Sequence, residues 1–181
     1  MASRWSYLVV PAALVGALLA CSKESTVHVP CSGTACTCVG TQCGGNASLD
    51  CGDTLMCAPT CTDFASSCNA TCGDGCMFGC MSGPGCTVTC GDHCNVACQG
   101  TTTCAATCGA DCTYSCNNVN DCGPTVGDGS VVTCTSSSNC QAKCTGSCRV
   151  HCISSEPCSA ACPGGESPMT CDDGFACGEG C

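Results

Sequence analysis

Cysteine and apolar residues alternate with polar residues in a pattern that repeats every eighteen positions along much of the chain. In a complete repeat, cysteines occupy positions 1, 5, 9 and 13, and small or apolar residues occupy positions 3 and 11. A fixed period of this length indicates one structural unit that recurs along the chain. The repeats begin at six cysteines spaced by eighteen residues: Cys68, Cys86, Cys104, Cys122, Cys140 and Cys158.

The parity of these positions predicts strands. Positions 1, 3 and 5 are alternate residues, as are positions 9, 11 and 13, and alternate side chains of a strand share one face. Between the two groups, three units carry Gly-Asp, a dipeptide that favours a turn. Each unit is therefore predicted to form two short strands joined by a turn, and the predicted fold class is all-β.

Two all-β architectures fit this pattern. In a small disulfide-laced β-solenoid each unit is one coil and equivalent residues stack, whereas in the alternative each unit is an independent disulfide-tied β-hairpin. Stacked coils require a near-constant length, so the five successive intervals of eighteen residues favour the solenoid. We expect the repeats to occupy residues 68–181. Residues 31–67 hold seven cysteines outside this register and are expected to form an N-terminal cap.

The fourth unit indicates which cysteines are bonded. It has Val126 and Ser130 at positions 5 and 9 but keeps its cysteines at positions 1 and 13. The loss of both cysteines in the same unit is expected if positions 5 and 9 are bonded to each other across the turn. Positions four residues apart in one strand would be about 13 Å apart, beyond the Cα separation of roughly 4.4–6.8 Å that a disulfide allows. The predicted pairs are Cys72–Cys76, Cys90–Cys94, Cys108–Cys112 and Cys144–Cys148.

The sequence leaves the pairing of positions 13 and 1 open. These cysteines can be bonded either across the five-residue loop between units or within one unit. The loop arrangement is favoured because the C-terminal cysteines repeat its spacing. The loop pairs would be Cys80–Cys86, Cys98–Cys104 and Cys171–Cys177, with Cys162 left for Cys181, and the within-unit pairs would be Cys68–Cys80 and Cys86–Cys98.

The composition explains why cysteine has to replace an ordinary core. The 181 residues include 31 cysteines but only 3 phenylalanines, 2 tyrosines and 1 tryptophan. A chain with so few large apolar side chains cannot bury an ordinary core. We therefore expect bonded cysteines and an exported protein in an oxidising compartment. The spacing C-x-x-C, which is usual in zinc sites, does not occur, and this argues against a metal–thiolate protein.

The charged residues narrow the range of functions. The formal net charge is −10 with only four Lys and Arg residues, which excludes a nucleic-acid-binding surface.

Catalytic motifs such as G-x-S-x-G and H-E-x-x-H are absent, and neither His93 nor His151 has a nucleophile at a recognisable spacing, so we predict no catalytic residues and no enzyme. Three aspartates at position 7, Asp74, Asp92 and Asp128, are weak candidates for Ca²⁺ ligands if stacking brings their carboxylates together. No other cofactor is expected.

The N-terminal residues resemble the export signal of bacterial lipoproteins. Arg4 precedes an apolar run over residues 7–19, which is typical of a secretory signal peptide over residues 1–20. The run ends in Leu18-Leu19-Ala20-Cys21, which resembles a lipobox. The resemblance implies that Cys21 is acylated after cleavage and is followed by a polar tether, so that residues 21–30 form the anchor. Acylation of Cys21 would also leave an even number of cysteines, 30, to form bridges.

The lipobox and the C-x3-C repeat together resemble the cysteine-rich repeat lipoproteins of some predatory soil bacteria. That resemblance carries no active site, and the leading hypothesis is a non-catalytic, acyl-anchored surface protein with a structural or adhesive role. In the enterobacterial version of the lipoprotein family, an Asp directly after the acylated cysteine favours the inner membrane, so the resemblance implies that a chain with Ser22 there is in the outer membrane. The expected partners are the membrane, through the acyl anchor, and a surface protein or glycan. The alternative is a ligand-binding or inhibitory module that presents the variable five-residue loops.

Overall fold

The computed structural model describes residues 27–30, 35–39, 46–51, 58–62, 67–178 and 180–181. The predicted signal peptide over residues 1–20 and the predicted acylation site Cys21 lie outside these ranges. Within them the chain is largely β-strand, and the helical structure is limited to one 3₁₀ turn at Pro163–Gly165.

Short strands follow one another along the described residues. They are β1 (Val27–Pro30), β2 (Ala35–Val39), β3 (Asn46–Asp50), β4 (Ala58–Thr62), β5 (Ser67–Thr71), β6 (Met77–Thr89), β7 (Asn95–Thr107), β8 (Thr113–Asn117), β9 (Asp121–Val126), β10 (Ser130–Thr135), β11 (Asn139–Cys144), β12 (Cys148–Ile153), β13 (Cys158–Ala161), β14 (Met169–Cys171) and β15 (Gly174–Cys177).

Each repeat crosses two parallel ladders of strands, here called sheet A and sheet B. Sheet A contains β1, β3, β5, the C-terminal halves of β6 and β7, and then β9, β11 and β13. Sheet B contains β2, β4, the N-terminal halves of β6 and β7, and then β8, β10 and β12. Equivalent residues of successive repeats are register partners, as for Cys86 with Cys104 in sheet A and Cys80 with Cys98 in sheet B.

The predicted β-solenoid is confirmed by this topology. Strands of consecutive repeats pair in parallel, with offsets of eighteen residues, so each repeat is one coil on a stack. The alternative of independent hairpins is wrong, because hairpins would require the two strands of one repeat to pair antiparallel with each other. The parallel ladder also limits the length of each strand, since a residue inserted within a strand would move its side chains out of their columns.

The solenoid begins before the region where the period of eighteen is visible. Val27–Pro30, predicted to be part of a tether, forms β1 and pairs in parallel with β3. The described strands within residues 31–67, predicted to be an atypical cap, also pair with later coils. Their register partners, such as Ala35 with Ala58 and Ala47 with Cys68, are 23 and 21 residues apart. Connections between strands tolerate insertions better than strands do, so these coils stack without sharing the period.

The C-terminal end of the stack has a different structure. β14 and β15 form an antiparallel pair, and β15 also pairs antiparallel with β12, where Phe175 is opposite Val150. This hairpin covers the last strand of sheet B. Repeat stacks need such an atypical end, because an uncovered coil would leave its strand edges unpaired.

Two backbone corners recur in the coils. The first is in the turn from sheet A to sheet B and the second is in the loop from sheet B to the next coil. Residues at both corners have positive φ, a conformation that glycine adopts without strain and that Asn, Asp and His adopt more often than most other residues. The corner residues are spaced by eighteen: Gly75, His93, Asp111 and Gly129 in the turns, and Ser82, Gly100, Asn118, Ser136 and Ser154 in the loops.

Cysteine makes up most of the interior. More than half of the buried apolar side chains among the described residues are cysteines. The largest other contribution is the position-11 column, which runs along the centre of sheet B with each side chain at most 2 % exposed: Phe78, Val96, Tyr114, Val132 and Val150. The inner faces of the two sheets therefore meet across a layer of cysteine sulfur and apolar side chains.

Candidate functional site

Most of the residues that the sequence singled out for chemistry lie along one side of the stack. This side, called the turn edge below, consists of the turns from sheet A to sheet B, residues 72–76, 90–94, 108–112, 126–130 and 144–148. It contains the predicted position-5 and position-9 disulfides and the three calcium candidates.

Glycine at position 6 allows successive turns to touch. Gly109 N–H donates to Gly91 O at 3.0 Å, and Gly127 N–H donates to Gly109 O at 2.9 Å, so the turns are joined by a backbone hydrogen-bond ladder. A Cβ atom on Gly127 would lie 2.5 Å from Gly109 O and 2.6 Å from Gly109 C. The sequence predicted a turn at these glycines. It did not predict the contact with the next coil, which arises only because the coils stack.

The position-7 aspartates act as caps for the next coil. Asp74 Oδ1 accepts the Asp92 N–H at 2.9 Å, and Asp92 Oδ1 accepts the Ala110 N–H at 2.7 Å. Asp128 Oδ1 accepts both the backbone N–H and the hydroxyl of Ser147. These hydrogen bonds, chiefly the one from the Ser147 hydroxyl, lower the pKa of Asp128.

The calcium prediction gains no support from this geometry. Each of the three candidate carboxylates bonds the neighbouring coil through one oxygen, whereas Ca²⁺ takes six to eight oxygen ligands. Among the described residues, the groups of three or more potential metal ligands consist of cysteines alone. Those cysteines are already joined in disulfides, so they offer no thiolate to a metal: Cys122, Cys134 and Cys140, and Cys144, Cys148 and Cys177.

Two of the disulfides predicted within a turn are present. Cys72 is bonded to Cys76 with a Cα separation of 6.1 Å, and Cys144 is bonded to Cys148 with a Cα separation of 5.9 Å. In these two turns the bond joins the end of a sheet A strand to the start of a sheet B strand. It therefore closes one coil across its interior.

The other two predicted turn disulfides, Cys90–Cys94 and Cys108–Cys112, are wrong. Cys90 is bonded to Cys108 in the next coil, with a Cα separation of 4.8 Å. In the parallel ladder the Cα atom at position 5 of the next coil is 4.8 Å away, closer than the 6.1 Å between positions 5 and 9 in the bonded turn of Cys72 and Cys76. Distances within one repeat do not reveal this bond, because it depends on the spacing between coils.

Cys94 and Cys112 are consequently the free cysteines of the described residues, and both are only 2 % exposed. The Cys94 thiol donates to Gly73 O, and the Cys112 thiol donates to Gly91 O, each at 3.4 Å. Burial raises the pKa of the Cys94 thiol and raises that of Cys112 to about 11. Both groups are therefore protonated at neutral pH and are weak nucleophiles in the folded state.

The opposite side of the stack, called the loop edge below, consists of the loops from sheet B to the next coil, residues 81–85, 99–103, 117–121, 135–139 and 153–157. The favoured loop arrangement is present there, since position 13 of each coil is bonded to position 1 of the next. These bonds are Cys80–Cys86, Cys98–Cys104, Cys116–Cys122, Cys134–Cys140 and Cys152–Cys158.

At the C-terminus the predicted bonds are wrong. Cys162 is bonded to Cys177, and Cys171 is bonded to Cys181, in place of Cys171–Cys177 and Cys162–Cys181. The last residues form the antiparallel hairpin and do not start a further coil. The hairpin aligns Cys177 with Cys148 in β12, and the loop spacing no longer applies.

A cleft of about 580 Å³ lies where this hairpin meets the last coil. On its wall, His151 Nδ1 is 2.6 Å from Asp173 Oδ2, and Arg149 donates to Gly180 O at 3.0 Å. The hydrogen bond with His151 is the main cause that lowers the pKa of Asp173. The sequence found no partner for His151, because Asp173 is in the C-terminal hairpin and becomes its neighbour only through folding. Both polar contacts hold the hairpin to the coil.

Comparisons with known proteins show no family. No family model matches the chain, and no curated protein or solved structure is detectably similar to it.

Among the described residues, no helix is long and apolar enough to cross a membrane. The extensive disulfides indicate an oxidising, exported environment.

Proposed function

We propose that this protein is a non-catalytic, lipid-anchored component of a bacterial cell surface with a structural or adhesive role. The observation that carries the proposal is the covalent closure of the coils. At the loop edge, five successive disulfides each link position 13 of one coil to position 1 of the next. Together with the parallel backbone ladders, these bonds produce a stiff rod that resists proteases.

The anchor is inferred from Leu18-Leu19-Ala20-Cys21, which lies outside the described residues. In lipoproteins with this motif the cysteine sulfur receives a diacylglycerol group. Two or more acyl chains on one residue give stable membrane attachment, whereas a single chain does not. The rod would then project from the membrane at its N-terminal end.

The use of the polar groups supports a non-catalytic role. Asp74 and Asp92 bond the backbone of the next coil, and the thiols of Cys94 and Cys112 are protonated and buried. Such groups stabilise the stack. The side chain of His151 is bonded to Asp173, and this contact holds the C-terminal hairpin to the last coil.

The outer face of sheet A offers a regular surface for adhesion. Thr71, Thr89 and Thr107 are exposed, and each is the register partner of the next along the stack. Their hydroxyl groups repeat at the strand spacing of about 4.8 Å. A surface of this kind suits repetitive polar partners, such as a glycan.

The loop edge favours the structural role over a module that presents variable loops. The central loop residues Thr101, Val119, Ser137 and Ser155 point inward and are at most 4 % exposed. The loops are also bonded to one another, as by the Ser137 N–H, which donates to Ser155 Oγ at 3.0 Å. Loops held in this way have little freedom to adapt to a ligand.

The anchor is tested by expression of the full chain in a bacterium supplied with a labelled fatty acid. The wild-type protein should carry the label and sediment with outer membranes, and Cys21→Ser should lose both properties. Ser22→Asp is the matched control, because it should keep the label while the protein moves to the inner membrane. Labelled Cys21→Ser protein would contradict the proposal.

The role at the surface needs a separate experiment. Cells that lack the protein should show weaker adhesion or a weaker envelope, and the wild-type chain, but not Cys21→Ser, should restore it. A pull-down from intact cells that recovers a stoichiometric soluble partner would instead support the ligand-binding or inhibitory module.

A further inference from the structure

Four cysteines of two adjacent coils form a cluster at the turn edge. Cys90 and Cys108, at position 5, are bonded to each other between the coils. Cys94 and Cys112, at position 9 of the same coils, are buried and carry free thiols within the part of the chain that the structure describes. The cluster therefore combines one inter-coil disulfide with two unused thiols in the same register.

We propose that Cys94 and Cys112 are a disulfide-forming site, and that the exported protein joins these two coils twice. Position 9 follows the same eighteen-residue stacking as position 5, whose bonded Cα atoms are 4.8 Å apart. That separation lies within the range that a disulfide allows. The Cys94 N–H donates to Cys112 Sγ at 3.3 Å, which places the Cys112 sulfur directly beside residue 94.

The chemistry requires an oxidant, which we identify as a small disulfide such as glutathione disulfide. The Cys94 thiolate attacks one sulfur of the oxidant, forms a mixed disulfide and releases one thiolate. The Cys112 thiolate then attacks Cys94 Sγ and releases the second. Two cysteine thiols are oxidised, one disulfide is reduced to two thiols, and the protons lost by the cysteines pass to the released thiolates through the solvent. Because burial disfavours both thiolates after folding, oxidation should take place while the coils close.

The same four sulfurs could instead be bonded within the turns, as Cys90–Cys94 and Cys108–Cys112. Position 9 does not need such a bond to fold. In the next coil Ser130 occupies this position, and its hydroxyl donates to Gly109 O at 3.4 Å, as the Cys112 thiol does to Gly91 O. A serine should therefore replace Cys94 or Cys112 without loss of the turn.

The full chain, isolated from cells that export it, tests the proposal. It is denatured without reductant in a thiol-alkylating reagent, then reduced, alkylated with a second reagent of different mass and cleaved before aspartate. Cleavage before Asp92 and Asp111 places Cys90 on peptide 74–91, Cys94 and Cys108 on peptide 92–110, and Cys112 on peptide 111–120. The wild-type chain should carry none of the first reagent on these three peptides.

The Cys94→Ser variant identifies the connection. If Cys94 is bonded to Cys112, the variant should carry one label, or one glutathione adduct, on peptide 111–120. A label on peptide 74–91 would reveal the turn pairing and overturn the proposal, as would two labels at Cys94 and Cys112 in the wild-type chain. If the variant does not fold, fragmentation of the unreduced wild-type peptides decides, since the proposal requires Cys94 linked to Cys112. Either outcome leaves the proposed lipid anchor unaffected.

Discussion

The contact between successive turns predicts a large effect of one methyl group at Gly127. Gly127 is buried, and its N–H donates to Gly109 O at 2.9 Å. In Gly127→Ala, the new Cβ would lie 2.5 Å from Gly109 O and 2.6 Å from Gly109 C. Both contacts are with backbone atoms, which can move only if the neighbouring coil moves.

The magnitude follows from this geometry. Ordinary contact begins at 3.4 Å, so the coils have to separate locally by about 0.9 Å from the 2.5 Å position. We expect about 1–3 kcal/mol from the overpacking and about 1 kcal/mol from the weakened hydrogen bond, or about 2–4 kcal/mol together. Since 1.4 kcal/mol corresponds to a factor of ten, amide exchange at the turn edge should accelerate by about thirtyfold to a thousandfold.

The assay is native-state hydrogen exchange with the disulfides intact, followed for the turns at residues 108–112 and 126–130. Gly123→Ala in β9 is the matched control, because the nearest neighbour of its Cβ would be Gln141 O at 3.9 Å. Exchange in Gly127→Ala that matches the control would refute the argument that the turns are in contact.

Three further substitutions test other contacts. Thr101→Val should raise the free energy of unfolding by about 1–2 kcal/mol in denaturant titrations. Thr101 Oγ1 is buried with no hydrogen-bond partner in the described structure, and a valine, Val119, occupies the equivalent position of the next coil. A loss of stability would contradict the conclusion that this hydroxyl is unpaired. The Asp128 carboxylate contributes stability above its unfolded pKa near 3.8, and this contribution is lost as the pH falls through the lower folded pKa. Ser147→Ala should therefore move the carboxyl titration of Asp128, followed by NMR, upward towards 3.8, and an unchanged midpoint would contradict the hydrogen-bond explanation. Tyr114→Phe removes a buried hydroxyl that donates to a disulfide sulfur at 2.8 Å and should cost about 1 kcal/mol in the same titrations, whereas no change would show that this bond contributes nothing.

Most of the fold could be predicted because the coils have the same length, so that the sequence repeats with the period of the stack. Alternate cysteines predicted the strands, and the constant spacing from Cys68 to Cys158 predicted the solenoid. The irregular coils before Cys68 were missed, because their strands pair at offsets of 23 and 21 residues, as for Ala35 with Ala58 and Ala47 with Cys68. Hydrogen bonds between backbones hold those strands, and they leave no repeated side chain to detect.

At the turn edge, the sequence alone does not determine which cysteines are bonded. The joint loss of cysteines at Val126 and Ser130 indicated that positions 5 and 9 are related, and it correctly placed them opposite each other across the turn. It could not tell a bond within a coil from a bond between coils, because both distances suit a disulfide. The bond from Cys90 to Cys108 and the free thiols at Cys94 and Cys112 depend on the stacking distance, which the sequence does not contain.

Disulfides, with the ladders they hold in register, take the place of an apolar core in this protein. Each bridge contributes about 2–4 kcal/mol, although the values do not add, and most of the buried apolar side chains are themselves cysteines. The most direct test is the far-ultraviolet circular dichroism of the full chain after complete reduction and alkylation in the absence of denaturant. We expect the strand signal to disappear. A reduced and alkylated chain that keeps its strand signal would contradict the account.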